Sequence, residues 1–428
     1  MQDPRWVALT VLGKIQKDKA YGNIALDNAL KTAQLEPKDR AFAARLVYGV
    51  LQNQLLLEFY IAHFSSVKLK KIHHSVLNIL KIAAYSILML DKIPDSAAVN
   101  QAVLQTKKAN PKSAGFVNAI LRKLTQEKAS LPEITGDREQ VMSIKYSHPL
   151  PLVQLLIADL GFEQTELFLR ENNRIPPTVF RVNTLNATQD ELLTLLPDGQ
   201  ILMENCISIT GADLVKGGFF DKLLICDTAS QLAVMAAGPG PGQLVLDCCA
   251  APGGKSLMAA ILTQNRAQIT SCDLHENKLG LIEQSAKRLG ADITTRQMDA
   301  TQFCPEFESG FDLVIADVPC SGLGVIRKKP DIRYKDVDGF GQFPQISAQI
   351  LDNVSRYVKK GGRLLFSTCT VLSAENEKTL LSFLERNSEF TLKAFELPIA
   401  GRTEGYITIM PQIHGTDGFF IGLMERFS

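Results

Sequence analysis

From about residue 220 onward the chain alternates short apolar runs with stretches of helical periodicity, and the runs end near Asp247, Asp273, Asp299, Asp317 and Thr368. Such alternation builds βαβ units, and these predict a parallel sheet with helices on its faces. Ligands of an open sheet of this kind bind beyond the carboxyl ends of the strands, so those ends share one edge. Two of them bring thiols to it. Cys320 follows Phe311–Ala316 in Asp317-Val-Pro-Cys320, and Cys369 follows Gly362–Phe366 in Ser367-Thr-Cys369-Thr370. A third end is a glycine loop entering a helix, Leu244-Val-Leu-Asp-Cys-Cys-Ala-Ala-Pro-Gly-Gly-Lys-Ser256. Two thiols, a carboxylate and a small-residue loop on one edge imply covalent chemistry on a substrate held against a cofactor.

The rhythm breaks after residue 400. Gly405–Met410 and Gly418–Met424 read as two strands joined by a short loop, a hairpin adding an antiparallel strand to the α/β sheet. Upstream the texture differs. Trp6, Val7, Leu9, Val11, Leu12 and Ile15 form a helical stripe, and Phe42, Leu46, Val47, Val50, Leu51, Leu55 and Leu56 form a longer one. Ser75–Asp91 and Ala97–Lys107 continue it, with Asp95 and Ser96 as helix-start residues. The polar, turn-rich stretch 130–145 reads as a linker. Beyond it come a helix near Pro151–Arg170, strands at Thr178–Asn183 and Gln200–Ile209, and a helix at Thr188–Leu196. The expectation is therefore an all-α bundle over residues 1–140, a small α+β domain over 141–220 and an α/β Rossmann-like domain over 221–428. A chain of 428 residues has room for all three.

The eight cysteines all lie after residue 200, with no Cys-x-x-Cys pair, so no zinc site is expected. Most of them read as small buried hydrophobes of a reduced protein, and only those at strand ends are candidates for chemistry. The apolar stretch Val76–Leu90 is interrupted by Asn78, Lys81 and Ser86 and is too short to span a bilayer. The start, Met-Gln-Asp-Pro-Arg-Trp, lacks the plan of a signal peptide, which predicts a cytoplasmic protein. The net charge of +1 hides an asymmetry: residues 1–140 carry 20 Lys and Arg against 12 Asp and Glu, and the remainder carries 26 against 33. A basic N-terminal third suits a polyanion.

Two familiar phosphate loops fail at residues 247–256. A Gly-x-x-x-x-Gly-Lys-Ser loop needs glycine where Cys249 stands, and a Gly-x-Gly-x-x-Gly fingerprint has no match. What remains is Ala250, Ala251, Gly253 and Gly254, which let a ligand approach the backbone closely. Asp273 ends the second strand where a carboxylate grips ribose hydroxyls, and Asp299 ends the third. Acidic surroundings suit a cationic cofactor better than a pyrophosphate.

Cys249-Ala-Ala-Pro-Gly-Gly-Lys255, Asp317-Val-Pro-Cys320 and Thr368-Cys369 resemble the hallmark motifs of the NSUN-type RNA cytosine-5 methyltransferases. The N-terminal bundle resembles the NusB-type RNA-binding fold. Gly324-Val-Ile-Arg-Lys-Lys-Pro-Asp-Ile-Arg333 and Asp417-Gly-Phe-Phe420 are similar to segments of the bacterial ribosomal RNA members of that family. One departure stands out: Pro151 occupies a place where the family usually carries tryptophan, a matter of domain packing. The resemblance implies a class I methyltransferase using S-adenosyl-L-methionine and acting on one cytosine of 16S ribosomal RNA, single-stranded or flipped out. It implies Cys369 as the nucleophile at C6, Cys320 as the group assisting breakdown of the adduct, and Asp317 as a protonated carboxyl donating near N3 of the base. It implies Cys249, Ala250, Ala251, Pro252, Gly253, Gly254 and Lys255 around the methionine and ribose, Asp273 on the ribose hydroxyls, Asp299 beside the adenine, and Asp317 between cofactor and base. Arg327, Lys328, Lys329 and Arg333 are candidates for RNA phosphates, with Arg181 and Lys222 as weaker ones. The same chemistry on transfer RNA or another RNA, and a non-catalytic RNA-binding assembly factor, are the competing readings; the intact Cys320, Cys369 and Asp317 argue against the second.

Overall fold

A computed structural model describes residues 3–18, 22–210 and 218–427, so Met1, Gln2 and the stretch 211–217 of the expected α+β domain lie outside the described residues. The chain divides into two compact units, Met1–Arg174 with Ile326–Val337, and Ile175–Val325 with Asp338–Ser428. The division differs from the expected one in two ways. The helices Arg138–Lys145, Leu150–Leu160 and Phe162–Glu171 fall in the first unit. The segment Ile326–Val337, well downstream in sequence, also belongs to that unit.

The first unit is helical among its described residues. Its principal helices before residue 130 are Pro4–Asp18, Gly22–Thr32, Pro37–Gln52, Gln54–Phe64, His74–Met89, Asp95–Ala109 and Ala114–Gln126. His74–Met89 buries residues on every face, Asn78, Lys81 and Ser86 among them, which makes it the axis of the core. Asp95 begins its helix as the first helical residue after Pro94, where its carboxylate meets Lys128 at 3.1 Å. The helix expected over Pro151–Arg170 is two helices, because Gly161 turns the chain at φ +77°. Pro151 sits in the first turn of Leu150–Leu160, where a missing N–H costs nothing.

The second unit holds two layered regions. A small antiparallel sheet contains β1 (Thr178–Val182), β2 (Gln200–Met203), β3 (Cys206–Ile209) and β4 (Leu223–Ile225) in the order β2-β3-β1-β4. The expected single strand over Gln200–Ile209 is a hairpin: Met203 pairs with Cys206, and Asn205 takes the left-handed turn position at φ +57°. The helix Gln189–Leu195 starts with a capping box between Thr188 and Glu191.

The large sheet contains β5 (Leu244–Asp247), β6 (Gln268–Asp273), β7 (Thr294–Gln297), β8 (Phe311–Asp317), β9 (Val358–Thr368), β10 (Phe390–Leu392), β13 (Tyr406–Ile409) and β14 (Phe419–Arg426). A separate two-stranded ribbon pairs β11 (Phe395–Leu397) with β12 (Gly401–Thr403). The order is β10-β14-β9-β8-β5-β6-β7, with β13 also paired to β14. The strands β5 to β9 pair in parallel, while β14 runs antiparallel between β9 and β10. Interior strands such as β8 and β14 are buried along almost their whole length, as strands covered on both faces must be. The chain crosses from β5 to β6 on one side and pairs β5 with β8 on the other. That reversal is a topological switch point, and the crevice outside it is where such sheets bind ligands.

Candidate active site

Register places the two thiols together. Asp317 on β8 lies opposite Ser367 on β9, so the chains leaving the two strands run side by side. Cys320 and Cys369 meet there with their Sγ atoms 3.1 Å apart, unbridged and both half-buried. The hydrogen bond to Cys369, then desolvation, then the nearby charges of Cys369, Glu375 and Asp317 hold the Cys320 thiol well above the ordinary cysteine value.

A closed polar clasp surrounds the loops. The Thr368 hydroxyl donates to Asn376 Oδ1 at 2.6 Å, and Asn376 Nδ2 donates to the Thr370 carbonyl at 3.1 Å. The Thr370 and Ser321 hydroxyls are 2.7 Å apart, and the Ser321 N–H donates to Glu375 Oε2 at 2.8 Å. All five side chains are buried.

Beyond β5, the residues Cys248–Gly253 curl over the sheet edge before the helix Gly254–Thr263. Gly253 has φ +105°, a conformation that disfavours any side chain. The Asp273 carboxylate staples this loop: it accepts the Ala251 N–H at 3.2 Å and the His275 N–H at 3.0 Å. Asp299 lies at the end of the neighbouring strand and accepts from the Thr301 N–H and hydroxyl at 2.9 and 2.7 Å. Beneath the loop, Ser271 donates to Ser256, which donates to Asp247, each at 2.7 Å. Burial pushes the Asp247 carboxyl up to about 6, against the hydrogen bond from Ser256 and the charge of Lys255.

Lys255 has a partner that the sequence does not announce. Its ammonium lies 2.5 Å from Asp317 Oδ2 and 4.9 Å from the centre of the Phe419 ring. Burial works to lower its pKa, and the Asp317 charge and hydrogen bond, with the Asp247 charge, outweigh that and raise it. Ser367 donates to the other Asp317 oxygen at 2.8 Å. Both Asp317 oxygens therefore have a donor beside them in this structure.

The expected phosphate contacts divide. Arg333 is fully buried inside the first unit, where its guanidinium donates to the carbonyls of Gln52 (2.8 Å), Ser147 (3.3 Å) and Asn172 (3.4 Å) and to Asn173 Oδ1 (3.0 Å). Burial pulls it down to about 10. Arg181 is buried too, and donates to the Glu204 carbonyl at 2.9 Å across the β2–β3 turn. Burial withdraws both side chains from the surface, and each holds at least one main-chain carbonyl. Lys329 is exposed, and Arg327, Lys328 and Lys222 are half-buried.

Two glycines had no assigned role in the sequence. Gly418 donates its N–H to the Gly324 carbonyl at 2.9 Å, and Gly324 donates to the Cys369 carbonyl at 3.0 Å. A Cβ on Gly324 would lie 1.9 Å from the Gly418 oxygen, and one on Gly418 would lie 2.7 Å from Gly324 Cα. The signal was the glycine in each of two quoted motifs, but nothing in a linear sequence says that they touch.

The whole chain has known relatives. A family model described as 16S rRNA methyltransferase RsmB/F matches residues 234–425, the NusB family model matches 2–126, and a RsmF/B-like ferredoxin-like domain matches 148–212. A probable ribosomal RNA small subunit methyltransferase B of Bacillus subtilis is 35% identical over 99% of this chain and 98% of its own length. Ribosomal RNA small subunit methyltransferase B of Citrobacter koseri is 29% identical over 92% of this chain and 93% of its own. Among solved structures, that of PH0851 superposes with TM-score 0.81 at 25% identity, covering 100% of this chain and 99% of that one. A methyltransferase homologue from Pyrococcus horikoshii, at 21% identity, covers 68% of this chain and all of its own with TM-score 0.59, a likeness of fold. The helical N-terminus is thus NusB-like, the middle ferredoxin-like and the C-terminal sheet a Rossmann-like methyltransferase, and the chain, matched along its length at 35% identity, belongs to the RsmB-type (Sun/Fmu) family of ribosomal RNA small subunit methyltransferases.

Proposed function

We propose that the chain transfers a methyl group from S-adenosyl-L-methionine to C5 of one cytosine in 16S ribosomal RNA, through a covalent bond between Cys369 and C6, in the cytoplasm. The observation that carries this reading is the 3.1 Å approach of two thiols at neighbouring parallel strand ends. Cytosine C5 is a poor nucleophile until a group adds to C6, and a sulfur that adds readily can also leave.

The residues present suit the cofactor. The loop Cys249-Ala-Ala-Pro-Gly-Gly-Lys255 offers backbone and small side chains, and open space lies in front of Gly254. Asp273 and Asp299 give the adjoining edge an acidic character that matches a sulfonium and ribose hydroxyls. When bound, the cofactor supplies an electrophilic methyl group.

The chain's own groups account for the remaining steps. The Cys369 thiolate bonds to C6, and the C5=C6 electron pair becomes available at C5. Asp317, held as an acceptor by Lys255 and Ser367, takes a hydrogen bond from the exocyclic amino group of cytosine, a contact that carboxylates make well. With Cys369 bonded to carbon, its hydrogen bond and charge no longer hold the Cys320 proton, which passes to solvent; after C5 gains its methyl group, the Cys320 sulfur takes the proton from C5. The electrons of that C–H bond restore C5=C6 and expel the Cys369 sulfur. Exposed Lys329, with Arg327 and Lys328, is proposed to meet phosphates, alongside the basic first 140 residues.

The reading is tested with Cys320→Ala. Without its base the enzyme stalls after methyl transfer, so a protein–RNA complex that survives denaturing gels accumulates and requires the cofactor. Cys320→Ala/Cys369→Ala yields none. A folded Cys320→Ala protein that forms no such complex overturns the two-thiol mechanism. Bisulfite sequencing of ribosomal RNA from a deletion strain names the substrate as the one 5-methylcytosine that disappears.

A further inference from the structure

Asn376 stands at the N-cap of the helix Glu377–Arg386, and its side chain makes no capping hydrogen bond there. Asparagine is favoured at this position because its side chain satisfies a free N–H of the first turn. Here the carboxamide turns away to the thiol loop. Its oxygen accepts from Thr368 at 2.6 Å and its nitrogen donates to the Thr370 carbonyl at 3.1 Å, so one planar group grips the residues on both sides of Cys369. Asn376 is fully buried, as are Thr368 and Thr370. The grip extends to the second thiol, since Thr370 Oγ1 lies 2.7 Å from the hydroxyl of Ser321, the residue after Cys320.

We propose that Asn376 is a positioning residue for the thiol chemistry: its carboxamide fixes the backbone on either side of Cys369 and, through Thr370 and Ser321, sets the spacing of the two sulfurs. This rests on the reading of Cys369 as the nucleophile. A carboxamide suits the task because it is a donor and an acceptor in one rigid plane, and the two flanking residues offer one of each. Reacting atoms displaced by about 1 Å can lose on the order of 100-fold in rate, so an error in the clasp reaches turnover.

The test uses the full-length enzyme, a 16S ribosomal RNA transcript and radiolabelled S-adenosyl-L-methionine. Asn376→Ala lowers kcat tenfold or more and leaves KM for both substrates within twofold. The rate at which iodoacetamide alkylates Cys369, read by peptide mass spectrometry, changes with it. Thr368→Val removes one arm of the clasp, lowers kcat less, and adds nothing further in the double variant, since both act through the same hydrogen bond. Asn376→Asp keeps the acceptor for Thr368 but sets an oxygen against the Thr370 carbonyl, and it lowers kcat even if the alanine variant does not fold. An unchanged kcat in Asn376→Asp, or independent multiplying losses in the double variant, overturns the proposal. A Cys369→Ala enzyme that methylates normally sinks the covalent reading itself; inactive Cys369→Ala beside fully active Asn376→Asp sinks the positioning role alone.

Discussion

Arg333 and Lys255 are both cations withdrawn from water, and the protein uses them in opposite ways. Arg333 is fully buried and spends its donors on main-chain carbonyls and Asn173, so its charge is closed in. Lys255 is nearly as buried, with 7% of its side chain exposed, but its partner Asp317 keeps 32% of its own side chain open. The first arrangement fixes the segment 326–337 onto the helical unit. The second leaves one face of an ion pair reachable at a strand end, where a ligand can compete for it. What separates a structural charge from a poised one is the exposure and identity of the partner, not the burial of the cation.

The sharpest contrast to break is between chemistry and stability. Cys369→Ala is expected to lose methylation below detection while thermal unfolding and cofactor binding by calorimetry stay at wild-type values. Residual turnover above background would remove the nucleophile from the mechanism. Arg333→Met does the converse. It leaves several buried carbonyls unpaired at about 1–3 kcal/mol each, so urea unfolding of the helical unit shifts by about 3 kcal/mol while cofactor affinity in the folded protein holds. An unshifted transition would mean that those carbonyls find other donors.

A smaller effect sharpens the same comparison. His148 is fully buried beside Arg333 and hydrogen-bonded through Nδ1 to the Tyr146 carbonyl at 2.7 Å. Burial, reinforced by the Arg333 charge, holds it well below the ordinary histidine value of 6.5. Below about pH 6.5 the unfolded chain takes up a proton there and the folded chain does not. The helical unit therefore keeps its full stability above that pH and loses up to about 1.4 kcal/mol per unit of further acidification. His148→Gln flattens that slope; a slope identical to wild type between pH 6.5 and 5.5 would show that other groups dominate it.

Much of the sheet was legible because strand ends carry residue types that core positions avoid. Asp273, Asp317 and Cys369 stand out after apolar runs, and parallel register does the rest. Within the basic run Arg327 to Arg333, the burial of Arg333 was hidden for a physical reason. Exposure is set by what packs around a side chain, and helices nearly two hundred residues earlier in sequence enclose Arg333. For the same reason the sequence does not show that helices up to Glu171 and the returning segment Ile326–Val337 group with the first unit. Asn376 and the pairing of Lys255 with Asp317 escaped notice because each depends on a partner distant in sequence or hidden by the fold. The Gln200–Ile209 hairpin escaped because its turn uses Asn205 without the usual glycine.

The contact between Gly324 and Gly418 limits how this enzyme can vary over evolutionary time. Pockets usually drift by small exchanges, a valine for an alanine, each shifting a wall slightly. At this joint no side chain intervenes, and main chain rests on main chain with the Cys369 carbonyl at its end. Its spacing has no fine adjustment, since the smallest possible substitution already collides. Divergence among such enzymes must then accumulate in the exposed surface that meets the substrate, around a sulfur geometry inherited without graded alternatives.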